Sequence, residues 1–436
     1  MNTNLTAPAD RSPGDKTTSK PTSGTRTTRA KLSYPKVLLL IAGSLILLSL
    51  LRVITGATNL TESGQYTAAL NAAVPIGLAG LGGLWAERSG VINIGLEGMM
   101  MLGAFAAGAV GWQHGPWAAA AAGILGGALG GLLHAVVTVT FGVDHIISGV
   151  AINIMALGLT QFLAKLWFGA DGSAAAAAGG NDKQSPPMPD MPTFTVPGLS
   201  DWLYSVEQHH WFLVSDVAGI LGSLVTNVSW LTLATAVVFV LTFFVLWRSS
   251  FGLRLRSCGE GPIAAESLGV NVYRYKYAAV VASGALAGLG GAFLAIYVHI
   301  YQDGQTGGRG YIGLATMIFG NWRPGGVAMG AGLFGFMDAL QLRGGGPTVH
   351  ALLLLLAVLL VGLAVWKVRA GHRTQAVISL VAAVLLTVWY TTTDTVPLEI
   401  VGVAPYIATL LVLSLAAQRL RAPKAIGKIY RRGQGK

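Results

Sequence analysis

The chain has 436 residues, of which 53% are hydrophobic and only 11% charged, with a mean hydropathy of +0.60. Soluble domains carry about 25% charged residues, so too few charges remain to coat a water-facing surface, and the composition describes an all-α polytopic membrane protein instead. The net charge of +11 sits mostly in tails and loops, which marks a cytoplasmic side rather than a nucleic-acid partner, and the single cysteine, Cys258, excludes an internal disulfide and a cysteine-based zinc site.

Residues 1–36 are rich in Ser, Thr, Pro and Gly and hold seven basic residues against Asp10 and Asp15. They read as a disordered cytoplasmic tail, too long and too polar for the front of a cleaved signal peptide. Residues 37–418 read as the membrane domain. A first spanning helix is expected over 37–53 and a second segment, with Asn71 and Pro75, over 66–85. Residues 87–98 then read Glu-Arg-Ser-Gly-Val-Ile-Asn-Ile-Gly-Leu-Glu-Gly. Charges and glycines of this kind between apolar runs predict a helix broken at membrane depth, where polar groups mark function. A third segment follows over 99–112 and a fourth over 116–141. The fourth carries Gly123, Gly126, Gly127, Gly130 and Gly131 at small-xxx-small spacing, a packing face. The fifth, 146–168, contains Asn153.

Residues 169–228 read as an extracytoplasmic loop, because acidic residues outnumber Lys183 there. The sixth segment is 230–247. Residues 248–276 carry Arg248, Arg254, Arg256, Arg274 and Lys276 against Glu260 and Glu266, which makes this loop cytoplasmic. The seventh segment, 277–300, leads to a second interrupted region: Gly307-Gly308-Arg309-Gly310-Tyr311, a short apolar piece, then Asn321-Trp322-Arg323-Pro324. Spans are expected over 351–366, 376–390 and 403–417, giving roughly 10–12 membrane segments. Residues 419–436 form a basic tail with seven basic residues and no acidic one, so both termini read as cytoplasmic. Two interrupted segments, one in each half, point to an inverted-repeat transporter.

Two stretches carry candidate chemistry. Asn93 and Glu97 stand four apart, so on a helix they share a face. Facing a cavity, they could hydrogen-bond a solute in passage. The alternative makes Glu97 a cap on a broken helix and Glu87 with Arg88 an interfacial pair. Asn71 and Asn153 either line the route or bridge helices, and Arg309 reads as an anchor or a contact for an outside partner. In the cytoplasmic loop, Pro262 can start a helix, Ala264, Ala265 and Glu266 favour one, and Gly269 can stop it. The product is either a solvated loop helix or one that sits in a groove of another protein.

That loop, Gly-Glu-Gly-Pro-Ile-Ala-Ala-Glu-Ser-Leu-Gly-Val, resembles the ATPase-coupling loop of permease subunits of bacterial ABC importers, in the branched-chain amino acid and simple-sugar permease superfamily. The stretch 87–100 resembles the signature of its nucleoside-type branch. Asn153 with Ala156-Leu157-Gly158-Leu159-Thr160 is similar to that branch's fifth-segment motif, and Gly310-Tyr311-Ile312-Gly313-Leu314-Ala315 with Phe319-Gly320-Asn321-Trp322 to its second-repeat motif. The likeness covers residues 67–342 well. The family usually has Asn where Gly261 stands here; the loop's length and Pro262 are kept.

The resemblance implies a type II ABC importer permease fold with inverted repeats and broken helices, in a bacterial plasma membrane. The implied partners are ABC ATPase subunits, a second permease subunit that is often a different chain, an extracytoplasmic solute-binding protein and membrane lipid, with no nucleic acid. The chain itself would bind no cofactor and would not be an enzyme: ATP would sit on the partner. Nucleosides are the implied solute, with simple sugars or branched-chain amino acids next. Expected pathway residues are Asn71, Asn93, Glu97, Asn153 and Tyr311. Expected coupling residues are Glu260, Pro262, Ala265, Glu266 and Gly269.

The missing motifs agree. Gly427-Lys428 lacks the leading glycine of a phosphate loop, and the clusters Gly80-Leu-Gly82-Gly83 and Gly288-Leu-Gly290-Gly291 lack a dinucleotide-binding context. No His-Glu-x-x-His occurs. An ion-coupled secondary transporter, the rival from another mechanistic class, would want more intramembrane carboxylates. An intramembrane enzyme would want paired catalytic side chains, and none stands out.

Overall fold

The computed structural model describes residues 34–169, 173–343, 345–397, 399–403 and 420–433. The chain divides into two units, residues 1–44 and 45–436. In the first, the described part is the beginning of α1 (Tyr34–Thr55). In the second, α2 (Ser63–Arg88), α3 (Leu96–His114), α4 (Pro116–Ala135) and α5 (His145–Trp167) follow, with a π-helical turn Val136–Thr140 prolonging α4. Residues expected as a plain loop fold into α6 (Ala174–Ala177), α7 (Leu199–Gln208) and α8 (Val214–Val225). A two-residue antiparallel ladder of β1 (Thr193–Phe194) on β2 (Val228–Ser229) closes that region. Then come α9 (Trp230–Arg248), α10 (Ser250–Glu260), α11 (Pro262–Ser267), α12 (Val272–Val298), α13 (Arg309–Phe319), α14 (Pro324–Leu342), α15 (Gly345–Arg369) and α16 (Arg373–Thr392).

Among the described residues, seven helices are long and apolar enough to cross a membrane: α2, α4 with its π turn, α5, α9, α12, α15 and α16. The protein is an all-α polytopic membrane protein. The two breaks fall where the polar stretches stand, between α2 and α3 and between α13 and α14. The expected segment over 403–417 and residues 1–33 of the N-terminal tail lie outside the described residues, apart from the edge at Val403.

Glycine sets how closely the inner helices approach. A β-carbon on Gly127 of α4 would fall 2.2 Å from the Gly284 carbonyl oxygen, and one on Gly288 of α12 would fall 2.2 Å from the Gly123 carbonyl oxygen. Gly123, Gly127 and Gly131 thus form one row against Gly284 and Gly288, backbone against backbone. Gly126 and Gly130 turn instead to Leu102 and Met99 of α3. The same spacing therefore serves two neighbours, as small residues do where lipid supplies no hydrophobic drive between helices. Around this contact the fully buried Leu78, Leu96, Met99, Met100 and Phe293 fill the interior.

Overpacking these rows is expected to unfold them. Gly127→Leu or Gly288→Leu should cost on the order of 3 kcal/mol, read as a lowered thermal midpoint of the detergent-solubilised chain. Gly158→Ala, where a β-carbon meets nothing within 4 Å, should leave the midpoint unchanged.

Candidate functional site

The polar stretch 87–98 is a junction between chain segments. After α2 the backbone turns through Gly90, at φ +88°, and runs non-helically to Leu96. Asn93 therefore lies outside a helix and does not share a helical face with Glu97. It is fully buried: its Nδ2 donates to Ser283 Oγ on α12 at 2.9 Å, and its Oδ1 accepts from the Gly95 N–H at 3.1 Å. His134 of α4 bonds the Ile92 carbonyl through Nε2 at 2.9 Å and Ser148 Oγ of α5 through Nδ1 at 2.9 Å.

Glu97, only 2% exposed, reaches the other half of the chain. Its Oε1 accepts from the Gly308 N–H at 2.9 Å and its Oε2 from the Gly310 N–H at 2.7 Å. The carboxylate thus caps α13 in trans, across 211 and 213 residues of sequence. A helix start presents unpaired N–H donors and positive potential, so an acid there is stabilised. Gly310 is required by the approach, since its β-carbon would fall 2.6 Å from the Glu97 Cα. Asn153 joins the same knot: its Oδ1 accepts from the Gly98 N–H at 2.8 Å, and its Nδ2 donates to the Ile94 carbonyl at 3.0 Å and to the Tyr311 hydroxyl at 2.9 Å. Tyr311 is 48% exposed; in this cluster it is the side chain that faces outward.

At the other end of the stretch, Glu87 and Arg88 do not pair with each other. Both hold Trp322 in the second break. The indole N–H donates to Glu87 Oε2 at 2.5 Å, and Arg88 donates to the Trp322 carbonyl from Nε at 3.0 Å and Nη2 at 2.5 Å. Asn321 and Trp322 both sit at φ +53°, a region that costs non-glycine residues energy and persists only where surroundings enforce it. Arg309 is an anchor, ion-paired with Asp338 of α14 at 2.6 Å.

The loop between α9 and α12 forms an elbow. Pro262 opens α11, and Gly269, at φ +80°, lies just beyond its end. Ala265 is buried with Cys258, Val272 and Tyr430, while Ile263 is 44% and Leu268 85% exposed. Glu260 and Glu266 meet the C-terminal segment: Glu260 Oε2 accepts from the Lys424 N–H at 3.4 Å, and Glu266 lies 3.7 Å from Arg432 Nε. That basic segment is a strap. The Ala425 N–H donates to the Gly259 carbonyl at 2.9 Å, the Gly427 N–H to the Gly90 carbonyl at 3.1 Å, and the Arg421 N–H to Asn321 Oδ1 at 2.8 Å. It touches the elbow, the first break and the second break.

Four of the five expected pathway residues, Asn93, Glu97, Asn153 and Tyr311, gather around the start of α3. Asn71 does not join them; it lines a separate cavity of about 160 Å³ with Asn227, Ser229, Tyr297 and His299. All five expected coupling residues lie on the elbow. Sequence reasoning missed His134, Ser283 and the strap. A histidine at the end of a glycine-rich apolar run was a usable signal for His134; the strap's tripeptide contacts carry none. Among the described residues, no three His, Cys, Asp or Glu side chains group as a metal site.

Comparison with known proteins fits this arrangement. Residues 65–363 match the family described as the permease component of the branched-chain amino acid transport system. The guanosine ABC transporter permease NupQ of Bacillus subtilis is 36% identical over 283 residues, 62% of this chain and 80% of that protein. The nucleoside ABC transporter permease NupC of Lactococcus lactis is 32% identical over 366 residues, 82% of this chain and 93% of its own. TsgC13 of Haloferax volcanii, provisionally named a glucose ABC transporter permease, is 33% identical over 286 residues, 64% and 78% of the two chains. No solved structure matches the chain.

Cys258 reports on the strap. It is fully buried against Tyr430, and burial pushes its thiol up to about 11, against a smaller opposing pull from Lys276. The reactive thiolate is therefore scarce at every pH below that value. Maleimide labelling at pH 8 should be negligible in the native chain and should rise at least tenfold in Tyr430→Ala, measured by mass spectrometry of the intact protein. Equal labelling of both would remove the strap from over Cys258.

Proposed function

We propose a function from one premise: the chain belongs to the family of permease components of branched-chain amino acid transport systems. Within it, the chain is the membrane subunit of an ATP-driven importer and passes nucleosides through the bacterial plasma membrane. The observation that carries the reading is the α10–α11 elbow. It exposes Ile263 and Leu268 outside the spanning helices, next to basic Arg254 and Arg274, and exposed apolar side chains in that setting mark a protein partner. The partner is an ABC ATPase subunit, which supplies the ATP site. The nucleoside assignment rests on NupQ and NupC, whose names state guanosine and nucleoside transport.

The remaining roles follow from charge and packing. The excess of arginine and lysine around the elbow and strap puts that face, with both termini, in the cytoplasm. A second permease subunit, often a different chain, completes the pathway, and a solute-binding protein delivers from outside. Tyr311 faces the solute. Its hydroxyl oxygen is occupied by the Asn153 amide, which leaves its proton to donate to a sugar hydroxyl or base and its ring to stack. Asn93, Glu97 and Asn153 hold the backbone around it, a support role in which their own polar atoms stay with the protein. Contacts of this kind are few, which suits a route the solute must leave again.

The test is copurification from detergent, then nucleoside-stimulated ATPase activity. An ATPase subunit should accompany the wild-type chain, and its rate should rise with a nucleoside-loaded binding protein. Ile263→Asp with Leu268→Asp, both at exposed positions, should lower that stimulation on the order of tenfold, as loss of an interface hot spot does. In the same assay Tyr311→Phe should raise the apparent KM for nucleoside several-fold. Transport by the lone chain under an ion gradient would contradict the reading.

A further inference from the structure

Helix α8 is built inside out for water. Its buried face is polar or small: Ser215, Asp216, Gly219, Gly222 and Ser223. Its exposed face is apolar: Val214 is 52%, Leu221 46% and Leu224 52% exposed, with Val217 between them, at the three- and four-residue spacing of one helical side. Trp211 and Phe212, in the turn before it, are 56% and 49% exposed. A soluble loop helix has the opposite pattern, so what covers this face is apolar.

The helix is fixed at a membrane end. Arg52, in the last turn of α1, makes a buried ion pair with Asp216 at 3.1 Å and donates to the His210 carbonyl at 3.3 Å. The Ser63 N–H at the start of α2 donates to Glu207 Oε1 at 2.8 Å. From there α8 runs beside the spanning helices. An open apolar groove of about 410 Å³ is lined by Ile220 and Leu224 of α8, Leu48 of α1, Leu70 and Ala73 of α2, and Phe336 of α14. Ala73 is about 15 Å along α2 from its start, at ~1.5 Å per residue, which reaches well into one leaflet. On the other side of the hairpin lies a polar cleft of about 450 Å³, lined by Asp201, Glu207, Asn227 and Arg343.

We infer that the α7–α8 hairpin is a lipid-contacting element. Helix α8 lies within the leaflet at the α1–α2 end, Trp211 sits at the headgroup boundary, and a phospholipid acyl chain occupies the groove. Continuity with the spanning helices selects lipid as the occupant: the apolar face of α8 extends the lipid-facing belt of α1, α2 and α14 without a polar seam, and the polar cleft faces away. Trp at the bilayer boundary is a usual anchor. On the orientation proposed above, this is the outer leaflet.

Nitroxide labels test it, on Leu221→Cys and Leu224→Cys, with Asp201→Cys and Ser205→Cys as water-facing references, in the Cys258→Ser chain within phosphatidylcholine–phosphatidylglycerol nanodiscs. At 221 and 224, collisions with oxygen should exceed those with a nickel chelate several-fold, and at 201 and 205 the order should reverse. Nickel access at 221 and 224 equal to the references would overturn the proposal, as would shielding from both reagents, which would mean cover by a second copy or another protein. Unmodified chain gives a check independent of the variants. A phospholipid with a diazirine in its acyl chain should leave adducts on the peptide spanning 211–225, and adducts confined to the spanning helices would equally refute it.

Discussion

A buried carboxylate bonded to two backbone N–H groups is the constraint on which the polar interior of this protein rests. Glu97 could not stay inside a membrane protein without partners, because a lone ionised group there is expensive. The start of α13 could not stay buried without an acceptor, because its N–H groups have none within the helix. Each satisfies the other, at 2.9 and 2.7 Å. The pairing ties the first break to the second, and Asn153 locks Tyr311 beside it.

The same logic repeats at the cytoplasmic end. Glu87 and Arg88, one turn of sequence before the glycine at 90, hold Trp322 through both its indole and its carbonyl. The strap then adds backbone bonds to Gly90 and Gly259 and reaches Asn321. A displacement of the elbow is thereby passed to both breaks through hydrogen-bonded backbone rather than through side chains with freedom to slip. This contiguity is what a coupling loop needs if an ATPase is to act on a route formed by broken helices.

Much of this was legible in the sequence. Hydropathy and glycine spacing placed the spans and the α4–α12 contact, because close helix approach demands small residues at a fixed period. Pro262 and Gly269 bounded α11, because their backbone preferences are local. Other features were illegible for a physical reason. The partner of Glu97 is more than two hundred residues away, so only the two glycines that permit the approach hinted at it. Asn93 was expected on a helix with Glu97, and the non-helical path through Gly90 and Gly95 removed that face. Residues 169–228 looked like a loop because their acidic and proline content outweighed the short apolar face of α8, whose pattern makes sense only against lipid.

Amide hydrogen exchange across residues 305–312, in the chain held in nanodiscs, tests the Glu97 tie most directly. With the carboxylate bound to Gly308 and Gly310, those two amides should exchange orders of magnitude more slowly than an unstructured chain, and Glu97→Gln should release them. Exchange in the wild-type chain near the unstructured rate would show that the two breaks are not joined, and the coupling route described here would fail with it.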